Sequence, residues 1–168
     1  MSLTATVAVL PPGVETLEFE SVRVPDPGPF EVVVEMRAAG VCHSQLDVID
    51  RRDRTNPLVM GHEGFGVAIA VGDQVRSVAP GDEVFLTWLP RTPDARKAIP
   101  GGVDLSDGRR ATTHNVYAWG THCVVDEQYL VRALAGEIPP ALGAIVGCAV
   151  MTGAGAVLNV ARPTSADS

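Results

Sequence analysis

The sequence predicts a mainly β fold, a barrel or a sandwich, with short helices mostly near the C-terminus. Glycine (17) and proline (13) are frequent among the 168 residues, which favours many turns and short strands over long helices. Several short segments alternate polar and apolar side chains, as half-buried strands do. Hydrophobic residues make up 46% of the chain and charged residues 20%, a composition typical of a globular domain.

Most of the first half of the chain is predicted to form strands. Residues 4–10 alternate polar and apolar side chains, and the Pro-Pro-Gly sequence at 11–13 then forces a turn. Three consecutive valines within 31–39 indicate a further strand, whereas 42–50 suits one or two helical turns. The strands predicted in this half are 4–10, 17–24, 31–39, 64–71 and 83–87.

The second half is predicted to contain a long loop, two strands and two helices. Residues 90–115 have few apolar side chains and several prolines and glycines, which indicates a loop. Pro139 favours the start of a helix that runs to about Val146. The other predicted elements are strands at 117–125 and 129–134 and a helix at 152–160. We therefore expect one domain over residues 1–160, followed by a polar tail at 161–168.

One charge-free stretch resembles a membrane span by its length alone. Residues 138–161 are 24 residues without a charged side chain, which is long enough to cross a bilayer. However, Pro139 and Pro140 open the stretch, and glycine and alanine dominate it. The sequence therefore favours two buried helices with a glycine-rich connection over a membrane span.

Charge and cysteine content exclude other classes of protein. Lys and Arg total 13 against 20 Asp and Glu, a net charge of −7, which argues against a nucleic-acid partner bound through phosphates. Three cysteines are too few for a disulfide framework, so a reducing cytoplasm is expected. The N-terminus has no basic region before its short apolar stretch and does not resemble a signal peptide.

Three glycine-flanked segments carry candidate metal ligands. They are Gly-Val-Cys-His-Ser at 40–44, Gly-His-Glu-Gly-Phe-Gly at 61–66 and Gly-Cys-Ala-Val-Met-Thr-Gly at 147–153. Cys42, His62 and Cys148 would offer two thiolates and an imidazole, which leaves one position open on a tetrahedral Zn²⁺. Taken singly, each residue also fits a structural role, because a free cysteine is usually a small buried hydrophobe.

Together, the three segments resemble those of the zinc-dependent medium-chain alcohol dehydrogenases, in their N-terminal, GroES-like catalytic domain. The corresponding family segments are G-V-C-H, G-H-E-G-x-G and G-C-x-x-x-T-G, and the turn at 81–84 is also similar. The similarity covers residues 4–159, nearly the whole chain. It implies a GroES-like, partly open β-barrel and oxidoreduction of an alcohol or aldehyde by hydride transfer to NAD(P).

The resemblance also implies a role for each matching residue. Cys42, His62 and Cys148 would hold one catalytic zinc ion, with Glu63 behind it as a supporting group or transient ligand. Ser44 would hydrogen-bond the substrate oxygen and pass its proton outward. His43 would face the pyrophosphate of the dinucleotide, and Trp88 would line the substrate pocket.

The sequence departs from the family pattern at three places. Gln45 stands where the family usually has an Asp that supports the ligand histidine, so we expect weaker support. Asp47 stands where many members have the histidine of the proton relay, so the relay ends at Ser44 and water or uses Asp47 as its base. Residues 90–115 contain no cysteine, which predicts one zinc ion and no second, structural one.

The dinucleotide-binding fingerprint is missing from this sequence. The nearest match to G-x-G-x-x-G begins at Gly153, but it lacks the third glycine, and only ten residues follow Leu158. A βαβ unit needs about 30 residues, so NAD(P) binding is expected only with a cofactor domain supplied separately.

Two functional hypotheses remain open on the sequence. One is the catalytic half of an alcohol dehydrogenase, acting on a small-molecule alcohol or aldehyde and inactive alone. The other is a non-catalytic zinc-binding or protein-interaction module on the same barrel. In both cases the apolar C-terminal stretch predicts self-association or a separate cofactor-binding domain as partner.

Overall fold

Ten strands in the described part of the chain form two five-stranded sheets that curl into a partly open barrel. The computed structural model describes residues 3–92, 96–98, 101–134, 138–164 and 167. The strands are β1 Thr4–Leu10, β2 Glu18–Arg23, β3 Glu31–Ala39, β4 Leu58–Val59, β5 Gly64–Val71, β6 Glu83–Leu86, β7 Gly102–Asp104, β8 Arg110–Thr112, β9 His122–Asp126 and β10 Leu130–Arg132.

The sheets have the strand orders β2-β1-β4-β8-β7 and β10-β6-β5-β3-β9. The helices are short: α1 His43–Asp50, α2 Pro140–Gly143 and α3 Met151–Gly155, with a 3₁₀ turn at Glu127–Tyr129 and π-helical turns at Val146–Val150 and Ala156–Ala161. The prediction of a mainly β fold with short helices near the C-terminus is confirmed.

Strand β3 lies between β5 and β9 in the second sheet and leads the chain to the candidate site. It pairs antiparallel with both β5 and β9. All three valines from Val32 to Val34 are buried, which explains why they form a continuous apolar run instead of an alternating one. A register shift between Met36 and Ala38 bends the strand just before Gly40. The predicted bounds of β1, β3 and β5 agree with the structure.

The core lies between the two sheets and is built mainly from valine side chains. Val7 and Val9 of β1 pack in the same buried cluster as Val34 of β3 and Val84 of β6. Because β-branched residues suit a pleated surface that is covered on one face, these strands follow directly from their composition.

The prediction of a long loop at 90–115 is wrong for its described second half. Strands β7 and β8 form a small antiparallel hairpin there, and β8 pairs with β4, a strand that the sequence did not predict. Gly108, at φ 84°, makes the turn, and Arg110 pairs with Asp104 at 2.7 Å. The strands are three residues long with few inward apolar side chains, so their composition resembles that of a loop. Residues 93–95 and 99–100 of the predicted loop lie outside the described part.

The predicted strand at 117–125 begins later than expected, at His122. Ala118 N donates to Gly61 O at 2.8 Å and Trp119 N donates to Met60 O at 2.9 Å. These residues therefore pair with the loop that carries His62 before the chain joins β3.

The prediction of two buried C-terminal helices is also wrong. Helical structure runs without a break from Val146 to Ala161, and nearly all side chains from Ala149 onward are exposed. The start of this region does pack closely: Gly143 lies against Phe65, and a Cβ atom at Gly147 would overlap the carbonyl oxygen of Leu86. A charge-free composition predicts burial, but in this structure only the first residues of the region contact the barrel closely. Among the described residues, no helix is both long and apolar enough to span a bilayer.

The close contact at Gly147 generates a prediction about stability. We expect Gly147→Ala to lower the free energy of unfolding by about 1–3 kcal/mol, because the added methyl group displaces the Leu86 backbone. Gly153→Ala is the matched control. It also lies in the helical run but has nothing within 4 Å of its Cβ position, so alanine should raise stability by up to about 1 kcal/mol. Urea unfolding of both variants measures the difference, and equal midpoints would contradict the prediction.

Candidate metal centre

Cys42 lies between the end of β3 and the start of α1. Gly40 precedes it where the backbone passes directly over Glu63, since a Cβ atom at Gly40 would lie 2.6 Å from the Glu63 carboxyl carbon. Gln45, which is buried, accepts a hydrogen bond from Cys42 N at 3.4 Å. The helix start therefore holds the backbone of Cys42 in place.

His62 lies in the loop between β4 and β5. Gly61 before it has φ 102°, in the left-handed region, and a Cβ atom there would lie 2.5 Å from Trp119 N, so both the conformation and the space require glycine. The Trp119 indole donates to Gly40 O at 2.9 Å. Trp119 therefore joins the segment that carries His62 to the segment that carries Cys42.

Cys148 lies on the π-helical turn Val146–Val150. The residue after it, Ala149, donates its N–H to the Glu63 carboxylate at 3.2 Å, and Glu63 is only 2% exposed. Because Glu63 follows His62 directly, this hydrogen bond joins the second ligand segment to the third.

These contacts bring three ligand atoms together. One donor atom each from Cys42, His62 and Cys148 lies within 4.8 Å of the others, although 106 positions separate the two cysteines along the chain. The two sulfur atoms are 3.9 Å apart. Two thiolates on a tetrahedral zinc ion, each with a Zn–S bond of about 2.3 Å, lie about 3.8 Å apart.

A second observation indicates that these donor atoms bind a metal ion such as zinc. His62 Nε2 is buried and has no hydrogen-bond partner in the described part of the chain, and an unpaired buried polar atom is costly. A metal ion would supply the missing partner. Two thiolates and an imidazole suit Zn²⁺, and three protein ligands leave one coordination position open.

The surroundings shift the pKa values of all three groups. The Ser44 hydroxyl, which donates to Cys42 Sγ at 3.4 Å, lowers the pKa of Cys42. Burial raises the pKa of Cys148 to about 11, and Cys42 and Glu63 add to this rise. Burial lowers the pKa of His62, against the opposing charge of Glu63. The lowered pKa values favour the neutral imidazole of His62 and the thiolate of Cys42, the forms that bind a metal, whereas the raised pKa of Cys148 opposes its ionisation until a metal binds.

A cavity of about 310 Å³ opens beside His62. The Trp88 ring lies 6.4 Å from the His62 ring, centroid to centroid. Besides His62 itself, the cavity walls include three residues that were predicted from the sequence to act at the site: Ser44, Gln45 and Trp88. The other lining residues are Val48, Leu58, Val59, Met60, Gly61, Thr113, His114, Asn115 and Val116.

Two residues that were predicted from the sequence to act at the site are not among the cavity walls. His43 and Asp47 are exposed on α1, and their side chains lie 3.7 Å apart, Nδ1 to Oδ1. Neither lines the cavity. Gln45 hydrogen-bonds the Cys42 backbone, and no hydrogen bond joins it to His62 within the described residues. The roles given to these residues remain predictions.

Sequence reasoning missed the cavity walls beyond Ser44, Gln45 and Trp88. The segment Leu58 to Met60 directly precedes the Gly-His motif, and its position could have indicated it. Residues 113–115 fall within the loop predicted at 90–115, and nothing in the sequence indicated them or Val116 as cavity walls.

Comparison with known proteins shows the family of this chain. Residues 28–140 match the family described as the alcohol dehydrogenase GroES-like domain. The chain belongs to this family. Geraniol dehydrogenase of Castellaniella defragrans is 32% identical over 94% of this chain and 48% of its own length. S-(hydroxymethyl)glutathione dehydrogenase of Komagataella pastoris is 31% identical over 90% of this chain and 46% of its own length.

Solved structures show the same GroES-like fold. An alcohol dehydrogenase zinc-binding domain protein from Burkholderia ambifaria matches with a TM-score of 0.80 and 27% identity, over 95% of this chain and 49% of that one. Benzyl alcohol dehydrogenase from Acinetobacter calcoaceticus matches with a TM-score of 0.76 and 26% identity, over 94% and 48%. The chain therefore spans about half the length of the relatives that it matches.

Metal loading of this GroES-like domain should depend on the three ligands. We expect Cys42→Ala, His62→Ala and Cys148→Ala each to abolish stoichiometric zinc binding and the rise in melting temperature that zinc produces. At a free zinc concentration of 100 times Kd, binding stabilises the folded chain by about 2.7 kcal/mol. The measurements are metal analysis and thermal unfolding with and without zinc.

Cys123→Ala is the control for these variants. Cys123 is fully buried away from the site, and burial raises the pKa of its thiol to about 12. Its substitution should lower stability slightly and leave zinc binding intact. Loss of zinc from this variant alone, with the other three unaffected, would contradict the assignment of the ligands.

Proposed function

We propose that this chain provides the zinc-binding, substrate-binding half of an alcohol dehydrogenase. It would hold one zinc ion through Cys42, His62 and Cys148 and take a small-molecule alcohol or aldehyde as substrate. The observation that carries the proposal is the convergence of these three ligand atoms beside a cavity that has room for a substrate. Its three free cysteines fit a reducing, cytoplasmic setting.

The chain's own groups suit the oxygen end of such a substrate. Bound zinc would supply Lewis-acid chemistry, polarising the substrate oxygen. Ser44 lines the cavity, and its hydroxyl is exposed and already lies 3.4 Å from Cys42 Sγ. It can therefore hydrogen-bond an alcohol oxygen inside the cavity and pass the proton outward to water or to Asp47, one helical turn further along α1.

Hydride transfer needs a second component. Oxidation of the alcohol to the aldehyde releases one proton and delivers a hydride to NAD(P)⁺, which a dinucleotide-binding domain would hold. His43 is strongly exposed at the first turn of α1, where it is available to a pyrophosphate group. We propose that the zinc-loaded chain alone binds an alcohol but does not reduce NAD(P)⁺.

Binding of a small alcohol tests the proposal. We expect 1-propanol to perturb the visible absorption of the Co²⁺-loaded chain. The Cys148→Ala variant mixed with Co²⁺ should show neither this absorption nor a response to 1-propanol, because it should not hold the ion. Ser44→Ala should weaken the binding of 1-propanol about threefold to tenfold, since one hydrogen bond is lost. The matched control is Ser106→Ala, which removes the hydroxyl of an exposed serine at the β7–β8 turn. Equal titrations of the Ser44 and Ser106 variants would argue against the role of Ser44, and no response of the intact chain would argue against the proposed function.

A non-catalytic interaction module is the second candidate function. It is favoured by the exposed apolar side chains of the C-terminal helical run, where Leu158 is 70% and Val160 81% exposed. Exposed apolar patches mark surfaces that associate. We propose that the isolated chain forms a homodimer or a larger assembly through this run.

Light scattering tests this association at micromolar concentration. We expect Leu158→Glu to produce a monomer, because a charge at the contact opposes its burial. Leu134→Glu, at an exposed leucine outside the helical run, should leave the assembly unchanged. A monomeric unmodified chain would refute self-association.

A further inference from the structure

The cavity beside His62 has walls from four separate segments. Helix α1 contributes Val48, and strand β4 with its following residue contributes Leu58, Val59 and Met60. Val116 closes the cavity from the segment that follows β8, and Trp88 closes it from the segment that follows β6. The surface between these segments is mainly aliphatic and aromatic.

The polar groups in the walls are mostly engaged with the protein itself. Thr113 Oγ1 donates to Val116 O at 2.7 Å, and Gln45 Oε1 accepts from Cys42 N. Asn115 Nδ2 donates to Trp88 O at 3.2 Å. A ligand body with several hydroxyl groups would leave them without partners, which is costly in a buried site. Ser44, His62 and His114 supply the remaining polar side chains of the walls.

The volume sets the size of the ligand. A cavity of 310 Å³ holds about ten non-hydrogen atoms, since a water molecule occupies about 30 Å³ of liquid. A two- or three-carbon alcohol would leave most of this apolar space unfilled.

The position of Trp88 limits this volume, and two hydrogen-bonded side chains fix the turn that carries it. Thr87, which is buried, bonds both the N–H and the carbonyl of Leu89 at 3.2 Å. Asn115, another residue of the cavity walls, donates a hydrogen bond to the Trp88 carbonyl. Loss of this bond would remove one of the restraints on the backbone that carries the indole.

From these observations we infer that the cavity takes a primary alcohol, or its aldehyde, of about ten non-hydrogen atoms in all, with a single polar end and an apolar body. Asn115 is a positioning residue that keeps the cavity at this size by holding Trp88. This inference rests on the proposed function, because the polar end of the ligand is the oxygen that the metal centre would bind.

Calorimetric titration of the zinc-loaded full chain with three alcohols tests the ligand class. Cinnamyl alcohol has an apolar body of the inferred size, xylitol is a polyol of similar size, and 1-propanol is small. We expect cinnamyl alcohol to bind at least about tenfold more tightly than either of the others, because it alone buries an apolar body. Trp88→Ala should remove most of this preference.

Variants of Asn115 test the positioning role. Asn115→Asp keeps the shape but loses the donor, so the affinity for cinnamyl alcohol should fall about threefold to tenfold, and the Trp88 fluorescence, measured against a Trp88→Phe reference, should change. Asn115→Gln keeps an amide donor and should recover much of both. Unchanged affinity and fluorescence in Asn115→Asp would overturn the role of Asn115.

The outcomes separate this inference from the function on which it rests. If none of the three alcohols binds the zinc-loaded chain, and 1-propanol does not perturb the Co²⁺-loaded chain, the proposed function fails. If the Co²⁺ spectrum responds to 1-propanol but the three alcohols bind equally well, or xylitol binds best, the inferred ligand class is overturned while the proposed function stands.

Discussion

The metal centre depends on close backbone packing at a glycine before each ligand. Gly61 and Gly147 directly precede His62 and Cys148, and Gly40 lies two residues before Cys42. At each of these glycines a Cβ atom would collide with a neighbouring segment. Gly40 lets the Cys42 segment pass close to Glu63, whereas Gly61 and Gly147 let the other two ligand segments pack against Trp119 and Leu86. This packing positions the three ligand atoms, which lie within 4.8 Å of one another.

The buried Glu63 carboxylate complements this packing. It lies against Gly40 and accepts a hydrogen bond from Ala149, so it contacts the segments on both sides of its own. The same negative charge opposes ionisation of both thiols. A divalent cation would relieve this repulsion, because opposite charges attract strongly where water is partly excluded. Contacts within the protein therefore fix the positions of the ligand segments. The negative charge of Glu63 and of the thiolates is balanced only when a metal ion is bound.

The sequence correctly predicts a strand or a ligand segment where the residues of that segment alone determine its structure. The valines of β3 and the alternation in β1 predict those strands with the observed bounds, and the glycine-flanked motifs indicated the three residues that converge. Prediction failed where a contact between distant segments decides the outcome. Strands β7 and β8 are too short to show a pattern, and residues 118–119 leave the expected strand because they pair with the loop before His62. The apolar composition of the helical run predicts burial, but it does not identify the surface that would cover the run. Its exposure therefore could not be predicted from the sequence.

The wide separation of the two cysteines along the chain has a consequence for folding order. An ion bound to both thiolates would act as a crosslink that closes a loop of 106 residues. In the chain-entropy description of crosslinks, closing a loop of about this length disfavours the unfolded chain by about 4.7 kcal/mol. All three ligands can bind the ion only after the helical turn that bears Cys148 has packed against the folded barrel. Metal capture would then be a late event in folding, and it would fix the start of a helical run whose apolar side chains are largely exposed.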